Sequence, residues 1–389
     1  MHAGIILPEL LGGTIHKTRI KSLVSLVTGV ICHKKLQLSE LGRNLHHNKD
    51  RSGIRIVDRF LGNTYYQENS KLIYGCLTKA IIGDNKTPNI IVDWSVIPNS
   101  KRYAKEEYQV LRASFSAEGR SITLYEEVHP QSEYNKEKTH NQFLIQLASL
   151  LPEDCKPCII TDAGFRIPWF KAVLKLGWNY VGRIRGDVHF NDSSGFQSTN
   201  RLFSKATFKP QYLGWFTLAK HNPFQTHFYI YTHNIQGRKK RNRNQTLAQN
   251  KESLTHSKGY REPWLIVSSL KLNEAPQEII KKYKSRMGIE EAFRDTKSTR
   301  YGFSFNDNHT IKPQRYIVWL LLAAIASLVA WMVGYIAEKH KIHYQFQANT
   351  SRHKRVLSFV FLGCCIIKKK INILFEWPGL DSILQGIMK

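Results

Sequence analysis

The sequence predicts an α/β protein: a mixed sheet flanked by helices, with a helical segment ahead of it and a β-rich segment set into it. Three observations carry that expectation. Two apolar runs, IIVDWS around Asp93 and IITDAG around Asp162, read as buried strands that end in aspartate. Between Asn89 and Ile184 the pattern runs strand, strand, strand, helix, strand, helix, strand, the order of a layered α/β arrangement. Residues 1–85 carry no strand pattern, and their apolar residues recur at helical spacing.

The helical segment, 1–85, shows Leu36, Leu38, Leu41 and Leu45 as one apolar stripe and Ile56, Phe60 and Leu61 as another. Lys34, Lys35, Arg43, His46, His47, Lys49, Arg51, Arg55 and Arg59 lie between and around them. Such a unit suits contact with DNA phosphates, although a solvated basic face gives the same pattern. Residues 86–185 hold the first part of the α/β core. Tyr108–Ser116 and Ser121–Val128 form a hairpin about Ala117–Arg120, and Phe143, Leu144, Leu147 and Leu151 line one face of a helix. Pro168, a favoured first position, opens a short helix that buries Trp169, Phe170, Val173 and Leu176.

Residues 186–263 read as a β-rich insertion. Tyr212–Ala219 and Phe224–Thr232 are its antiparallel strands, and a basic loop carries Lys239, Lys240 and Arg241. The core resumes over 264–340, with a strand at Trp264–Leu270, one helix from about Glu274 to Ser298, and an apolar helix at 316–337. Residues 341–389 form a basic C-terminal region to which no role is assigned.

Composition narrows the partners. The 389 residues include 57 Lys and Arg against 30 Asp and Glu, a formal charge of +27. Self-repulsion of that size makes a polyanion the commonest partner, and cations spread along the chain suit nucleic acid better than a membrane surface, although a basic but ordinary protein shows the same balance. The six cysteines make no disulfide framework in a chain this long, which fits a reducing cytoplasm. Cys155 and Cys158 form a C-x-x-C pair, but Cys364 and Cys365 are badly spaced to complete a zinc site. The N-terminus does not read as a signal peptide. Ile317 to Val333 lacks charge and is long enough for a membrane span. Its alanines, Ser327 and single occurrence favour a helix buried in a large core, so no membrane is expected.

Three acids stand out. Asp93 and Asp162 close apolar strands, where a carboxylate held at the rim of a sheet can bind a hard cation. Strand-end aspartate is also a common turn former. On a continuous helix with Tyr283 at zero, Arg286 falls near 300°, Glu290 near 340° and Lys297 near 320°, an arc of about 60°. Glu291 and Asp295 point away from it. A carboxylate flanked by cations on one stripe suits a metal beside phosphates, and it is also what a surface ion-pair stripe looks like.

Tyr283, Arg286, Glu290 and Lys297 stand at the spacing Tyr, two residues, Arg, three residues, Glu, six residues, Lys. With the blocks VLRASFSAEGRSITLYE, TDAGFRIPWFK, KLGWNYVGRIRG, EPWLIVSSL and IEEAFRDTKS, the sequence resembles the DDE transposases of the bacterial insertion sequence 4 family, most closely the transposon-ten type. The resemblance runs from LSELGRNL at Leu38 to the QANT segment at Gln347 and weakens after Ser351. It implies an RNase H-like catalytic core with a β-rich insertion behind a helical DNA-binding domain. It implies Asp93, Asp162 and Glu290 as catalytic metal ligands for Mg²⁺, with Mn²⁺ as a substitute. Tyr283, Arg286, Lys297 and Trp264 would contact DNA, Trp264 by receiving an unstacked base; a plain core role for that Trp stays open. The partners implied are transposon-end DNA and target DNA, handled by a homodimer in the paired-end complex of a bacterial cytoplasm. A nuclease that cuts without joining, and an inactive transposase-derived DNA-binding protein, are the other readings of the same residues.

Overall fold

The structure is a computed structural model, which describes residues 2–45, 49–118, 120–186, 188–232, 262–348, 350–351, 355–373 and 383. Two compact units make up the chain: Met1–Pro157 with Met287–Lys389, and Cys158–Arg286.

Among the described residues, the first unit begins with the helices α1 (His2–Leu11), α2 (Lys17–His33), α3 (Leu38–Arg43), α4 (Asp50–Leu61), α5 (Thr64–Glu68) and α6 (Ser70–Ile82). The His16 ring accepts from the Thr18 N–H to cap α2, and Lys34 closes it in the left-handed conformation. Leu36, Leu41 and Leu45 are buried as their stripe requires, whereas Leu38, the first residue of α3, is half-buried. In the second stripe Phe60 and Leu61 are buried, but Ile56 is 39% exposed, and Val57 takes the inward position instead. That difference has a simple source: Val57, Phe60 and Leu61 satisfy the helical repeat without Ile56.

Strand β1 (Asn89–Val96), the short α7 (Ser100–Tyr103), strands β2 (Tyr108–Ala117) and β3 (Arg120–Pro130), and helix α8 (Glu137–Leu150) follow. The three strands pair antiparallel in the order β3-β2-β1, with a bulge between Ala113 and Ser114 of β2.

The second unit holds β4 (Cys158–Thr161), α9 (Ile167–Lys175), β5 (Asn179–Ile184), β6 (His189–Asn191), β7 (Phe196–Ser198), β8 (Gln211–Leu218), β9 (Phe224–Tyr231), β10 (Trp264–Ser268) and α10 (Pro276–Lys284). Its strand order is β4-β5-β10-β9-β8-β6-β7. Among the described strands of this unit only β4 and β5 run parallel, so the sheet is mixed as expected. The β-rich segment extends this sheet: β9 pairs directly with β10, and β8 and β6 continue outward.

The chain then returns to the first unit through α11 (Met287–Lys297), α12 (Pro313–Lys339) and α13 (Phe359–Lys368). Helix α12 has the length and apolarity of a membrane span, yet 89% of its most apolar window is buried inside the protein. Trp319, Leu321, Ile325, Val329 and Val333 are fully covered. Helices α12 and α13 approach closely through glycine: a Cβ on Gly334 would lie 1.9 Å from the Phe359 carbonyl oxygen, and one on Gly363 1.8 Å from that of Ala330.

Candidate active site

Each unit carries part of the expected acid set. In the first unit, Ile90, Ile91 and Val92 of β1 are fully buried and Asp93 is the first half-buried residue after them. The strand does not end there. Asp93 pairs with Arg112 of β2, and the ladder continues for three residues to Val96. What ends at Asp93 is burial, because the rim of the sheet reaches solvent before its hydrogen bonding stops. The Trp94 N–H donates to Asp93 Oδ1 at 2.8 Å, which orients the carboxylate. The Trp94 indole in turn donates to His140 Nε2 at 3.0 Å. Burial and the neighbouring His129 push the His140 ring down to about 4, so it is neutral and able to accept.

Glu290 is exposed in the first turn of α11, where the helix dipole favours a carboxylate. Two turns on, Lys297 reaches back to β1: its ammonium donates to Ser95 Oγ at 2.7 Å and to the Val96 carbonyl. Burial first, then the Arg112 charge, bring Lys297 down to about 8, with Asp93 acting in the opposite sense. The rotation of α11 is fixed by its other side. Arg120, at the start of β3, donates to Asp295 at 2.7 Å and pairs with Glu291. Both acids therefore point away from Glu290, as the helical spacing anticipates.

In the second unit, Asp162 follows the fully buried β4 directly. Its Oδ1 accepts from the Gly164 N–H at 2.8 Å, and a Cβ at Gly164 would crowd that oxygen at 3.0 Å. Tyr283 is 3% exposed on α10. Burial raises its phenol, while Arg286 and Arg183 work to lower it and the Asp162 charge adds to the rise. Arg183, on β5, thus joins Tyr283, Arg286 and Asp162 in one electrostatic cluster. Trp264 is half-buried at the start of β10, edge-on to Tyr283 with ring centres 5.0 Å apart and 5.9 Å from Tyr231.

The single helix expected over 274–298 is two helices. The break falls at Ser285 and Arg286, between α10 and α11. The Ser285 hydroxyl donates to the Lys282 carbonyl at 2.7 Å, and the Arg286 N–H closes a tight turn on the Tyr283 carbonyl at 3.1 Å. A serine bonding its own backbone in this way interrupts the helical ladder. Tyr283 and Arg286 consequently belong to the second unit, and Glu290 and Lys297 to the first.

The remaining expected contacts divide. Arg43 is exposed and pairs with Glu40 at 3.0 Å and Asp50 at 3.8 Å, weak surface bridges that a phosphate can displace. Lys239, Lys240 and Arg241 lie outside the described residues. All six cysteines are free, and burial pushes Cys155 and Cys158 up to about 11, so neither is poised as a thiolate. Arg112, Arg120 and Arg183 were not anticipated as site residues. Only Arg183 and Arg185 left a trace, as paired arginines in the strand block GRIRG.

Carboxylate oxygens on rigid supports are the donors a hard divalent ion takes. Asp93, Asp162 and Glu290 are donors of that type, and the Trp94 and Gly164 N–H groups orient the two aspartates. Among the described residues, no three His, Cys, Asp or Glu side chains stand together as a group able to hold a metal ion.

Carboxylates with cations nearby on an α/β scaffold suit enzymes that act on phosphodiesters. The family described as Transposase DDE domain matches residues 84–329, well over half of the chain. The protein belongs to that family of transposases, enzymes that act on transposon DNA with divalent metal ions. No curated protein matches the sequence.

Proposed function

We propose that this transposase is a cut-and-paste enzyme of the insertion sequence 4 family, transposon-ten type, with Asp93, Asp162 and Glu290 as its catalytic acids. One observation carries the reading. The spacing of Tyr283, Arg286, Glu290 and Lys297, together with Asp93 and Asp162, falls wholly inside the stretch matched as a transposase domain.

The three carboxylates would hold Mg²⁺, with Mn²⁺ as a substitute. When bound, such ions supply Lewis-acid stabilisation of charge on phosphoryl oxygens and a lowered water pKa. The protein's own groups bind and orient the DNA. Arg286 and Arg183, held around the Tyr283 phenol, present guanidiniums to phosphate oxygens. Lys297, braced on Ser95 and Val96, adds a charge beside Asp93. The sequence of reactions that fits this family type is four like phosphoryl transfers. Water attacks a phosphodiester and frees a 3′-hydroxyl. That hydroxyl attacks the phosphodiester at the transposon end of the opposite strand, forming a hairpin and releasing the flanking strand with its own 3′-hydroxyl. Water reopens the hairpin, and the 3′-hydroxyl joins target DNA. A homodimer would hold two transposon ends at once, in the cytoplasm of a bacterium. Residues 1–85 would supply end binding, with Arg43 and the loop around Lys239, Lys240 and Arg241 among the DNA contacts.

The test is cleavage of a labelled transposon-end duplex in Mg²⁺. Asp93→Ala, Asp162→Ala and Glu290→Ala should each abolish nicking while end binding persists, and Glu274→Ala, an exposed acid elsewhere, should nick normally. Nicking near the wild-type rate by any of the three removes that residue from the site. Nicking without hairpin or strand transfer in the unaltered protein makes it a nuclease instead.

A further inference from the structure

A cleft of about 720 Å³ opens in the first unit between α2, α4 and the start of α5. Leu26, Ile56, Phe60 and Tyr66 contribute its apolar surface, which accounts for the exposed Ile56. Its polar wall is cationic and hydroxylic: Arg19 and Lys21 from α2, Arg59 from α4, with Thr18, Ser25 and Asn63. None of the described residues lining it is acidic. The acid next to Arg59, Asp58, is paired with Arg315 at 2.8 Å. Among the described residues, Arg19, Lys21 and Arg59 have no carboxylate partner.

Arg19 is also pre-positioned. Its guanidinium lies over the Tyr65 ring at 3.7 Å, and its backbone carbonyl accepts from the Tyr66 hydroxyl at 3.2 Å. A cation already ordered loses less freedom when it binds. The charge does not stop at the cleft. Arg51, Arg55 and Arg59 are all exposed and recur every four residues, so they share one face of α4. They span about 12 Å of helix axis, which one small anion cannot bridge. A DNA strand, with a phosphate about every 3.4 Å of its axis, can.

We propose that this cleft grips the phosphodiester backbone of duplex transposon-end DNA, with Arg19, Lys21 and Arg59 on phosphate oxygens. The proposal rests on the transposase reading and adds a surface to it: α2 and α5 take part in DNA contact, and Arg51 and Arg55 continue the track along α4. The hydroxyls of Thr18 and Ser25 are supplementary donors.

The test compares Lys21→Ala/Arg59→Ala with Lys79→Ala/Lys136→Ala, which removes the same charge from exposed positions outside the cleft. Binding of the full chain to a labelled end duplex is measured across a salt series, with melting temperature as the check on folding. The cleft variant should lose roughly tenfold in affinity at low salt, and its log–log salt slope should shrink by about 1.8, close to 0.9 for each phosphate that is no longer neutralised. The control pair should keep the wild-type slope. Equal losses in both variants, or an unchanged slope in the cleft variant, overturn the cleft assignment. Inorganic phosphate that shields Lys21 from acylation, where the end duplex does not, also overturns it, in favour of a small-anion site. Failure of the unaltered protein to bind end DNA is a different result and sinks the transposase reading itself.

Discussion

Arg112 stands directly across the β1–β2 pair from Asp93. Directly opposed residues on an antiparallel pair share a face of the sheet. The Arg112 guanidinium is almost completely buried, pairs with Glu126 at 2.7 Å, and lies 4.3 Å from the centre of the Phe293 ring on α11. The other Glu126 oxygen accepts from the Tyr74 hydroxyl at 2.8 Å. One buried cation thus links the strand of Asp93 to the helix of Glu290 and Lys297. A buried ion pair adds little net stability, but breaking one side of it strands a charge. Arg112→Met should therefore cost about 3–5 kcal/mol. Adding Glu126→Leu should recover most of that loss, less the unpaired Tyr74 hydroxyl. Chemical denaturation of both single variants and the double variant closes the cycle; simply additive losses would show that the two side chains do not act as a pair.

Lys297 gives the site a pH dependence. Its folded value is lowered to about 8 from an ordinary 10.5. Between those two values the unfolded chain binds more protons than the folded one, so this group's contribution to stability rises with pH there. In the proposed DNA contact its contribution would run the other way, because the ammonium is lost as pH rises through about 8. End binding by the unaltered protein should weaken over that interval. Lys297→Arg keeps its charge throughout, and should show a flatter alkaline limb in the same titration. Parallel alkaline limbs in the two proteins would assign the pH effect to another group.

Much of this arrangement was legible in the sequence. The order from β1 through β5 and the position of Asp162 follow from apolar runs and turn residues close together in the chain. The antiparallel pair β8 and β9, and the burial of α12, follow in the same way. What the sequence concealed depends on distant partners. Arg112 sits inside the apolar run VLRASF and finds Glu126 only when the hairpin closes. Arg120 meets Glu291 and Asp295 more than 170 residues later. The break at Ser285 depends on a side chain bonding its own backbone, and helical periodicity carries no sign of that. Asp93 looked like a strand end because its pattern turns polar there, whereas the ladder to β2 continues.

The crossing of α12 and α13 offers a test of the core that is independent of DNA. A methyl group at Gly363 would collide with the backbone of Ala330, a fully buried residue with little room to move. Gly363→Ala should destabilise the protein by about 1–3 kcal/mol, the usual cost of overpacking, despite alanine's better helix propensity. Gly13→Ala, where an added Cβ meets nothing within 4 Å, is the matched control. A Gly363→Ala protein that melts with the control would mean that the helices can separate without cost.

Trp264 is the residue on which two mechanisms diverge. It is half-buried, with its edge to Tyr283 and a second aromatic neighbour in Tyr231, so it is neither a fully enclosed core residue nor an isolated surface ring. In the proposed mechanism, hairpin formation would bend the second strand sharply toward the 3′-hydroxyl. A base near the end would then leave the stack at a cost of a few kcal/mol, and an aromatic face would recover roughly 1–3 kcal/mol of it. The buried Tyr283, in edge contact with the indole, would help to hold that ring in place while Arg286 and Arg183 take the adjoining phosphates. On this account Trp264→Ala should nick the first strand at nearly the normal rate and then stall, so that nicked DNA accumulates while the melting temperature stays within a few degrees of wild type. A Trp264→Phe variant should restore part of the hairpin yield, since a smaller ring still stacks. If the indole serves only as packing between β10 and α10, Trp264→Ala will melt early and lose nicking and hairpin formation in equal measure. Gel analysis of the two products over time, beside a thermal melt of the same preparation, decides between them.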